Sequence, residues 1–194
     1  MVHIRIEELE KYADENNVPI MQKDGIEFLT DYIKKNNIKS ILEIGSAIGY
    51  SAIKMALVSD DIKVTTIERD KERFDIAVEN INKFNLQDRI TIYNEDALNI
   101  ELSDKYDLIF IDAAKSQYIK FFEKFEKNLN NNGVIVSDNL SFHGLVEDET
   151  KTNNRNTKQL VRKIRKYIDY LKENKNYKTT FYKLGDGVAI SIKI

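Results

Sequence analysis

The sequence predicts an α/β fold whose mostly parallel sheet ends in an antiparallel hairpin. Short apolar runs alternate with segments in which apolar residues recur at spacings of three and four, as in βαβ units. Near the C-terminal end, two strand-like segments flank Gly185-Asp186-Gly187, which indicates a tight turn. The 194 residues suit one full hydrophobic core, so a single domain over residues 1–194 is expected.

The predicted elements follow one another regularly along the chain. Apolar runs predict five strands, at residues 40–44, 64–67, 89–93, 106–112 and 133–138. Helical spacing predicts helices at residues 49–58, 71–84, 117–129 and 157–174. The hairpin strands are predicted at residues 177–184 and 188–194. Strands separated by helices imply a parallel sheet.

Composition restricts the chemistry that is available. The hydrophobic share of 42% and charged share of 32% are typical of a globular protein, and the net charge of −2 names no partner. There is no cysteine and there are only two histidines, which argues against disulfides, a cysteine nucleophile and a zinc cluster. Residues 1–17 are charged, and no apolar run approaches the roughly 18 residues of a membrane span. A cytoplasmic protein without membrane contact is expected.

Acidic residues follow two of the apolar strands. Asp112 comes directly after residues 108–111, and Asp138 and Asn139 follow residues 133–137. A buried carboxylate is costly unless something compensates its charge. Two strands that end in oxygen ligands indicate a site for a hard cation, and Lys115 lies three residues beyond the first acid.

The stretch ILEIGSAIGYSA, residues 41–52, has the pattern of a strand, a glycine turn and the start of a helix. Gly45 allows a sharp turn, and Gly49 allows a close approach to the helix backbone. The Gly-x-x-x-Gly spacing differs from that of dinucleotide-binding loops, so no pyrophosphate site is expected. Glu43 could hydrogen-bond the glycine loop or a ligand ammonium. Ser51 could cap the helix or bind a ligand carboxylate.

Two further acids follow strands in the same half of the chain. Glu68 lies 23 residues after Gly45, and acids near this spacing commonly accept hydrogen bonds from ribose hydroxyls. Asp96 follows the third strand and could receive an adenine amino group. Each alone would fit a solvated strand end equally well. Together with the glycine loop, they indicate a nucleoside-shaped site.

A set of motifs resembles one enzyme family. The segments LEIGSAIGYSA, TIERD, EDA, FIDAAKSQY and SDN, extended by LGDGVAIS, resemble class I S-adenosylmethionine-dependent methyltransferases, in the divalent-metal O-methyltransferase family of catechol and caffeoyl-CoA enzymes. The resemblance implies a Rossmann-like, seven-stranded sheet with helices on both faces. It also implies two cofactors, S-adenosylmethionine and Mg²⁺.

The same resemblance assigns roles to individual residues. It implies cofactor contacts from Met21, Glu43, Gly45, Ser51, Glu68, Asp96, Ala97 and Asp112. It implies Mg²⁺ ligation by Asp112, Asp138 and Asn139, through oxygen atoms as a hard cation requires. Lys115 and Asp112 would be catalytic, with Lys115 as the general base that takes the acceptor's hydroxyl proton.

Within this family the chain most resembles the bacterial tRNA 5-hydroxyuridine methyltransferases. The likeness lies in LEKYADENNVPIMQKDGIEFL, IGSAIGYSAIKMAL, FIDAAKSQYIKFF and SDNLSFHGLV. It implies tRNA as the partner, 5-hydroxyuridine in the anticodon loop as the acceptor, and allows a homodimer. Two alternatives remain: a catechol-type small-molecule acceptor, and a non-catalytic RNA-binding module. The intact motif residues argue against the second.

The last predicted helix has a strong charge asymmetry. Its apolar stripe comprises Leu160, Val161, Ile164, Tyr167, Ile168 and Leu171. Its other face carries Arg162, Lys163, Arg165 and Lys166, and residues 151–178 hold ten basic residues against two acidic ones. Such a strip could bind a phosphate backbone or be a plain solvated face, and the resemblance favours RNA. Before this helix, Phe142 and His143 could line the acceptor pocket or be ordinary loop residues.

Overall fold

The computed structural model describes the backbone of residues 2–194 and the side chains of residues 5–148 and 150–194. Seven strands, β1 to β7 in chain order, are Ser40–Ile44, Lys63–Glu68, Ile90–Asn94, Tyr106–Ile111, Leu129–Ser137, Tyr177–Tyr182 and Val188–Lys193. The α-helices of the described residues, α1 to α6, are Val2–Glu15, Lys23–Lys35, Tyr50–Ala56, Lys71–Lys83, Tyr118–Phe125 and Arg155–Glu173. None of these helices has the length and apolar character needed to cross a membrane.

All seven strands form one sheet in the order β3-β2-β1-β4-β5-β7-β6. The five strands from β1 to β5 pair in parallel, whereas β7 runs antiparallel to both β5 and β6. The predicted parallel sheet with an antiparallel hairpin is therefore confirmed. The strand order reverses between β1 and β4, and in such sheets a ligand crevice forms at the carboxyl ends of the strands at that point.

Hydrophobic side chains cover both faces of the sheet. Because side chains alternate along a strand, Leu108 and Phe110 of β4 pack on one face, and Ile109 and Ile111 pack on the other. Helices α1 to α4 contribute to the first cluster, and helices α5 and α6 contribute to the second. The prediction of helices on both faces is thus confirmed.

Two predicted elements differ from the structure. The helix predicted at residues 117–129 is interrupted at both ends, because α5 lies between the 3₁₀ turns Lys115–Gln117 and Glu126–Asn128. The strand predicted at residues 133–138 begins earlier, at Leu129. Its asparagine-rich start has low strand propensity and forms an irregular bulge opposite β4, where Asn130 donates a hydrogen bond to Asp107. The other predicted elements lie within two residues of their observed bounds.

An aromatic cluster joins α5, α6 and β6. The ring of Phe122 is fully buried, and its centre lies 4.9 Å from that of Tyr177, 5.5 Å from that of Tyr170 and 6.4 Å from that of Tyr167. These pairs have the tilted edge-to-face geometry that aromatic rings prefer. Phe122 therefore holds the two helices of this face against the C-terminal hairpin.

Replacing Phe122 by alanine should lower the free energy of unfolding by about 3–5 kcal/mol, because a large buried ring is lost and a cavity remains. Urea denaturation, monitored by circular dichroism, would measure this change in the free energy of unfolding. Phe181→Ala is the matched control, since Phe181 on β6 is 39% exposed. Equal effects of the two substitutions would contradict the importance of the cluster.

Candidate active site

The two strand-end acids lie side by side at the carboxyl edge of the sheet. The backbone N–H of Asp112 donates to the carbonyl of Ile44 at 3.1 Å, and that of Asp138 donates to the carbonyl of Ile111 at 3.2 Å. Parallel pairing thus continues one residue beyond each strand. It places two adjacent carboxylates at the switch point, and Asp138 is only 2% exposed.

The electrostatics of this pair are unfavourable without a further cation. Burial raises the pKa of Asp112, and the nearby ammonium of Lys115 only partly opposes this effect. Burial, together with the negative charge of Asp112, raises the pKa of Asp138 to about 8. Like charges held close together in a buried site disfavour ionisation of both groups. A bound cation would remove this repulsion.

The donor set fits a hard cation in its chemistry. Asn139 follows Asp138 directly, and its side-chain N–H donates to the Asp138 carboxylate at 3.2 Å, so its amide oxygen is the remaining candidate ligand. Among the described residues, no group of three or more His, Cys, Asp or Glu side chains comes together at a possible metal site. The predicted set has two carboxylates and one amide, and Mg²⁺ ligation by it stays a prediction.

The glycine loop after β1, residues 45–49, approaches this edge closely. Gly45 has a φ of 95°, and a Cβ atom at this position would lie 2.3 Å from the carbonyl oxygen of Asp112. Gly49, with a φ of 83°, caps the start of α3. The sharp turn predicted at Gly45 is therefore required by contact with the neighbouring strand end as well as by its own backbone conformation.

Glu68 fixes the glycine loop from the end of β2. One carboxylate oxygen accepts the backbone N–H of Ala47 at 2.8 Å, and the other accepts that of Asp70 at 2.9 Å. The residue is only 7% exposed. Each carboxylate oxygen can accept a second hydrogen bond, so Glu68 can still receive ribose hydroxyls as predicted.

Glu43 and Ser51 interact with each other. This contact corrects the interpretations that Glu43 hydrogen-bonds the glycine loop and that Ser51 caps the helix. Glu43 is completely buried and accepts hydrogen bonds from the hydroxyls of Ser51 and Thr66. Thr66 is its register partner on β2, so Glu43 binds across the sheet, and Glu68 holds the glycine loop instead. Ser51 does not cap α3, because the cap position belongs to Gly49. Burial raises the pKa of Glu43 to about 7, although both hydroxyls oppose the shift.

A cavity of about 540 Å³ opens above these strand ends. The predicted site residues that line it are Met21, Gly45, Ser51, Glu68, Asp96, Ala97, Asp112, Lys115 and Asn139. Glu43 and Asp138 lie below its surface. The hydroxyl of Ser46 is buried in the cavity wall without a hydrogen-bond partner among the described residues. An orphaned buried hydroxyl at this place suits a polar ligand that completes its bonding.

The structure adds one acid that sequence reasoning treated only as part of a turn. Asp186 lies between β6 and β7, is 5% exposed and lines the cavity. Its charge contributes to the raised pKa of both Asp112 and Asp138. An aspartate between two glycines is typical of a tight turn, so the local pattern concealed this placement. The motif LGDGVAIS was the only sequence signal for it.

The segment from residue 139 to 148, here named the acceptor loop, forms one rim of the cavity. Phe142 and His143 both line the cavity. Phe142 is partly buried, whereas the His143 side chain is 70% exposed. Their position is compatible with contact to a methyl acceptor, and that role stays a prediction.

Helix α6 follows the acceptor loop and has the predicted amphipathic character. Val161, Ile164, Tyr167 and Leu171 are buried in the core. Arg162, Lys163 and Lys166 are exposed. Arg165 differs from them, because it is partly buried and donates from Nε and Nη2 to the carbonyl of Val146, at 2.9 and 2.7 Å. The exposed basic face therefore includes three of the four predicted residues, and Arg165 connects α6 to the acceptor loop.

Sequence comparison places the chain among known enzymes. A model of the O-methyltransferase family matches residues 2–194. A caffeoyl-CoA O-methyltransferase from Populus kitakamiensis is 30% identical over 189 residues, which cover 93% of this chain and 80% of that protein. Other plant relatives match over about 63% of their own length. The chain belongs to the O-methyltransferase family.

Solved structures agree with this assignment. A Staphylococcus aureus protein, provisionally described as a caffeoyl-CoA O-methyltransferase, has a TM-score of 0.94 at 40% identity, with 97% of this chain and 92% of that chain covered. An O-methyltransferase from Bacillus cereus in complex with SAH has a TM-score of 0.84 at 27% identity, with 98% and 90% covered. The predicted Rossmann-like methyltransferase fold and the predicted class of S-adenosylmethionine-dependent O-methyltransferase are confirmed.

The raised pKa of Glu43 has a consequence for stability. The folded protein holds this proton more tightly than the unfolded chain, so the free energy of unfolding of the ligand-free protein should fall as pH rises from 4.5 to about 7. Glu43→Gln should make this fall with pH shallower. Urea denaturation at several pH values between 4.5 and 7 measures the free energy of unfolding of both proteins.

Asp107→Asn is the matched control for this experiment. Although burial raises the pKa of Asp107, hydrogen bonds from Asn130, Lys39 and Ser40 leave it below its usual value. The stability that Asp107 contributes is therefore lost only as pH falls through this lower range, below the window tested. A Glu43→Gln protein with the wild-type slope between pH 4.5 and 7 would contradict the account.

Proposed function

We propose that this enzyme transfers the methyl group of S-adenosylmethionine to the hydroxyl of 5-hydroxyuridine in a tRNA anticodon loop, giving 5-methoxyuridine. The observation that carries the proposal is the juxtaposition of two surfaces. The cavity that contains Asp112 and Lys115 is bordered by the acceptor loop, and Arg165 connects that loop to the exposed basic face of α6. A nucleotide in the cavity would thus lie close to a surface suited to its phosphates.

The cavity offers separate polar groups to each part of S-adenosylmethionine. Glu68 is placed to receive the ribose hydroxyls, and its two backbone contacts keep the carboxylate in a fixed orientation. Asp96 and Ala97 line the end that would hold adenine, where one Asp96 oxygen already accepts the N–H of Leu98. The unpartnered hydroxyl of Ser46 lies in the same wall, beside Gly45 and the buried Ser51.

Asp112, Asp138 and Asn139 would hold Mg²⁺, which remains a proposal for this chain. When bound, the ion would orient the acceptor oxygens and make the acceptor hydroxyl easier to deprotonate. Lys115 lines the same cavity and lies close enough to act electrostatically on both carboxylates. Its amine would take the hydroxyl proton as the general base. Fixed placement of the two reactants would supply much of the rate.

RNA recognition would depend on an unstacked base and on phosphate contacts. Bases in single-stranded loops can be splayed out and received by a protein pocket. Phe142 at the rim could stack on such a base, and Arg162, Lys163 and Lys166 could bind the adjoining phosphates. A tRNA substrate would place the enzyme in the cytoplasm. A homodimer remains a proposal for this chain.

A catechol-type small-molecule acceptor is the second candidate. The observation that favours it is the similarity to a plant caffeoyl-CoA O-methyltransferase. A small planar acceptor with neighbouring oxygens would use the same cavity and the same acids. It would not reach the basic face of α6, and this difference separates the two candidates experimentally.

Reversing Arg162 and Lys166 to glutamate should raise KM for tRNA that carries 5-hydroxyuridine. Because fewer counterions are released on binding, each lost phosphate contact should lower the slope of log KM against log salt by about 0.7, the value for single strands. Steady-state methylation across a salt titration measures both effects. Methylation of a small catechol by the same variant, if detectable in the wild type, should not change.

The control variant reverses Lys34 and Lys35, two exposed lysines on α2 at the opposite face of the sheet. It matches the charge change and should leave KM and its salt dependence at wild-type values. Wild-type behaviour of the Arg162 and Lys166 variant on tRNA would make α6 a plain solvated face. The small-molecule candidate would then take first place.

A further inference from the structure

The acceptor loop begins with an unusual backbone conformation. Asn139, Phe142 and His143 have φ values of 59°, 48° and 59°, in the left-handed region that residues other than glycine rarely adopt. Such conformations are costly and persist only where neighbouring structure enforces them. These three residues are also the loop residues that line the cavity. Something must therefore hold this part of the loop in place.

The turn between β6 and β7 supplies that support. The N–H of Leu140 donates to the carbonyl of Gly187 at 2.9 Å, and the N–H of Ser141 donates to the carbonyl of Asp186 at 2.7 Å. A Cβ atom on Gly187 would lie 2.8 Å from the nitrogen of Ser141, so this close approach depends on glycine. The turn and the acceptor loop are thus packed backbone against backbone.

The side chain of Asp186 makes the contact nearest to the strained residues. Its Oδ1 atom accepts the backbone N–H of His143 at 2.5 Å. Its other oxygen lies 3.8 Å from Nδ1 of the His143 ring. Because this ring is exposed and the distance is long, the contact contributes little to the stability of the loop. The carboxylate is buried, and a hydrogen bond between a charged acceptor and a backbone N–H is among the stronger kinds.

The far end of the same loop is tied separately. The N–H of Val146 donates to the carbonyl of Ser141 at 3.0 Å, and the carbonyl of Val146 accepts two hydrogen bonds from Arg165. The loop is therefore fixed to α6 at one end and to the β6–β7 turn at the other. Between these two sets of contacts, the hydrogen bond from the His143 N–H to Asp186 fixes the positions of Phe142 and His143 at the rim of the cavity.

We propose that Asp186 is a positioning residue for the methyl acceptor. Its carboxylate holds the left-handed backbone at His143 and so keeps the rim of the acceptor pocket in the shape that receives the substrate. The proposal rests on the proposed methyl transfer for its kinetic consequence, but not on the identity of the acceptor. The residues predicted to bind the cofactor lie on other segments, so cofactor affinity should not depend on the hydrogen bond from His143 to Asp186.

The experiment compares Asp186→Ala and Asp186→Asn with the wild type. The amide oxygen of asparagine can still accept the N–H of His143, whereas alanine cannot. Asp107→Ala is the matched control, because Asp107 also accepts two backbone N–H groups, from Lys39 and Ser40, at the opposite edge of the sheet. Intact-mass measurement would exclude deamidation of the asparagine variant, which places an Asn-Gly pair in a turn.

Hydrogen exchange of the loop needs no acceptor and therefore tests the positioning directly. In the wild type the amide of His143 should be protected. In Asp186→Ala the peptides that cover residues 139–148 should exchange about tenfold faster or more, the size expected when a hydrogen bond to a charged group is lost. Asp186→Asn and Asp107→Ala should keep the wild-type rates for these peptides. An unprotected His143 amide in the wild type would overturn the proposal even if the alanine variant failed to fold.

Kinetics test the consequence for the acceptor. Asp186→Ala should raise KM for the acceptor by about tenfold with a smaller change in kcat, while the Kd for SAH stays at the wild-type value. Asp186→Asn should recover most of the loss. An asparagine variant as impaired as the alanine variant would show that the charge of Asp186 matters, not its hydrogen bond, and would overturn the proposal. If neither tRNA nor a catechol is methylated by the wild type, the proposed function fails, while the exchange result still decides the positioning.

Discussion

The electrostatic repulsion between Asp112 and Asp138 is the constraint on which the rest of the site depends. Parallel pairing of β4 with β1 and β5 carries both acids one residue past their strands, so the sheet itself brings them together. Burial raises the pKa of each, the negative charge of Asp112 adds to the rise at Asp138, and that of Asp186 adds to the rise at both. The hydrophobic core on both faces supplies the stability against which this unfavourable pair is maintained. Lys115 offsets only part of the cost.

The surrounding segments are arranged around this edge by backbone contacts. The glycine loop approaches Asp112 so closely that Gly45 cannot carry a side chain, and Glu68 holds the loop from β2. On the other side, the β6–β7 turn holds the acceptor loop through Asp186 and Gly187. The first arrangement shapes the side of the cavity that is predicted to hold the cofactor, and the second shapes the side that is proposed to receive the acceptor. A parallel sheet that ends in an antiparallel hairpin thus supports both sides of the cavity.

Much of this arrangement could be predicted, because the signals were local. Apolar runs located the strands, and the spacing of apolar residues at three and four located the helices between them. Acids directly after parallel strands must meet at one edge of the sheet. Helices α1 and α2 were not predicted, and most of the other failures arose where contacts are distant in sequence. The bond from Ser51 to Glu43, the contact of Arg165 with Val146 and the inward placement of Asp186 depend on how separate elements pack. Asparagines 130–132 concealed the start of β5, since they form a bulge that propensity does not predict.

Binding of Mg²⁺ to the ligand-free and SAH-bound protein, measured by isothermal titration calorimetry at pH 7 in two buffers of different ionisation enthalpy, tests the central claim most directly. The account predicts one ion per chain and release of protons to the buffer, because a cation favours the ionised carboxylates and the pKa of Asp138 is raised to about 8 without it. Asp138→Asn should weaken the binding strongly, whereas Asp107→Asn should not. If the wild type took up no Mg²⁺ in either state, or bound it equally well without Asp138, the strand-end acids would not be a cation site.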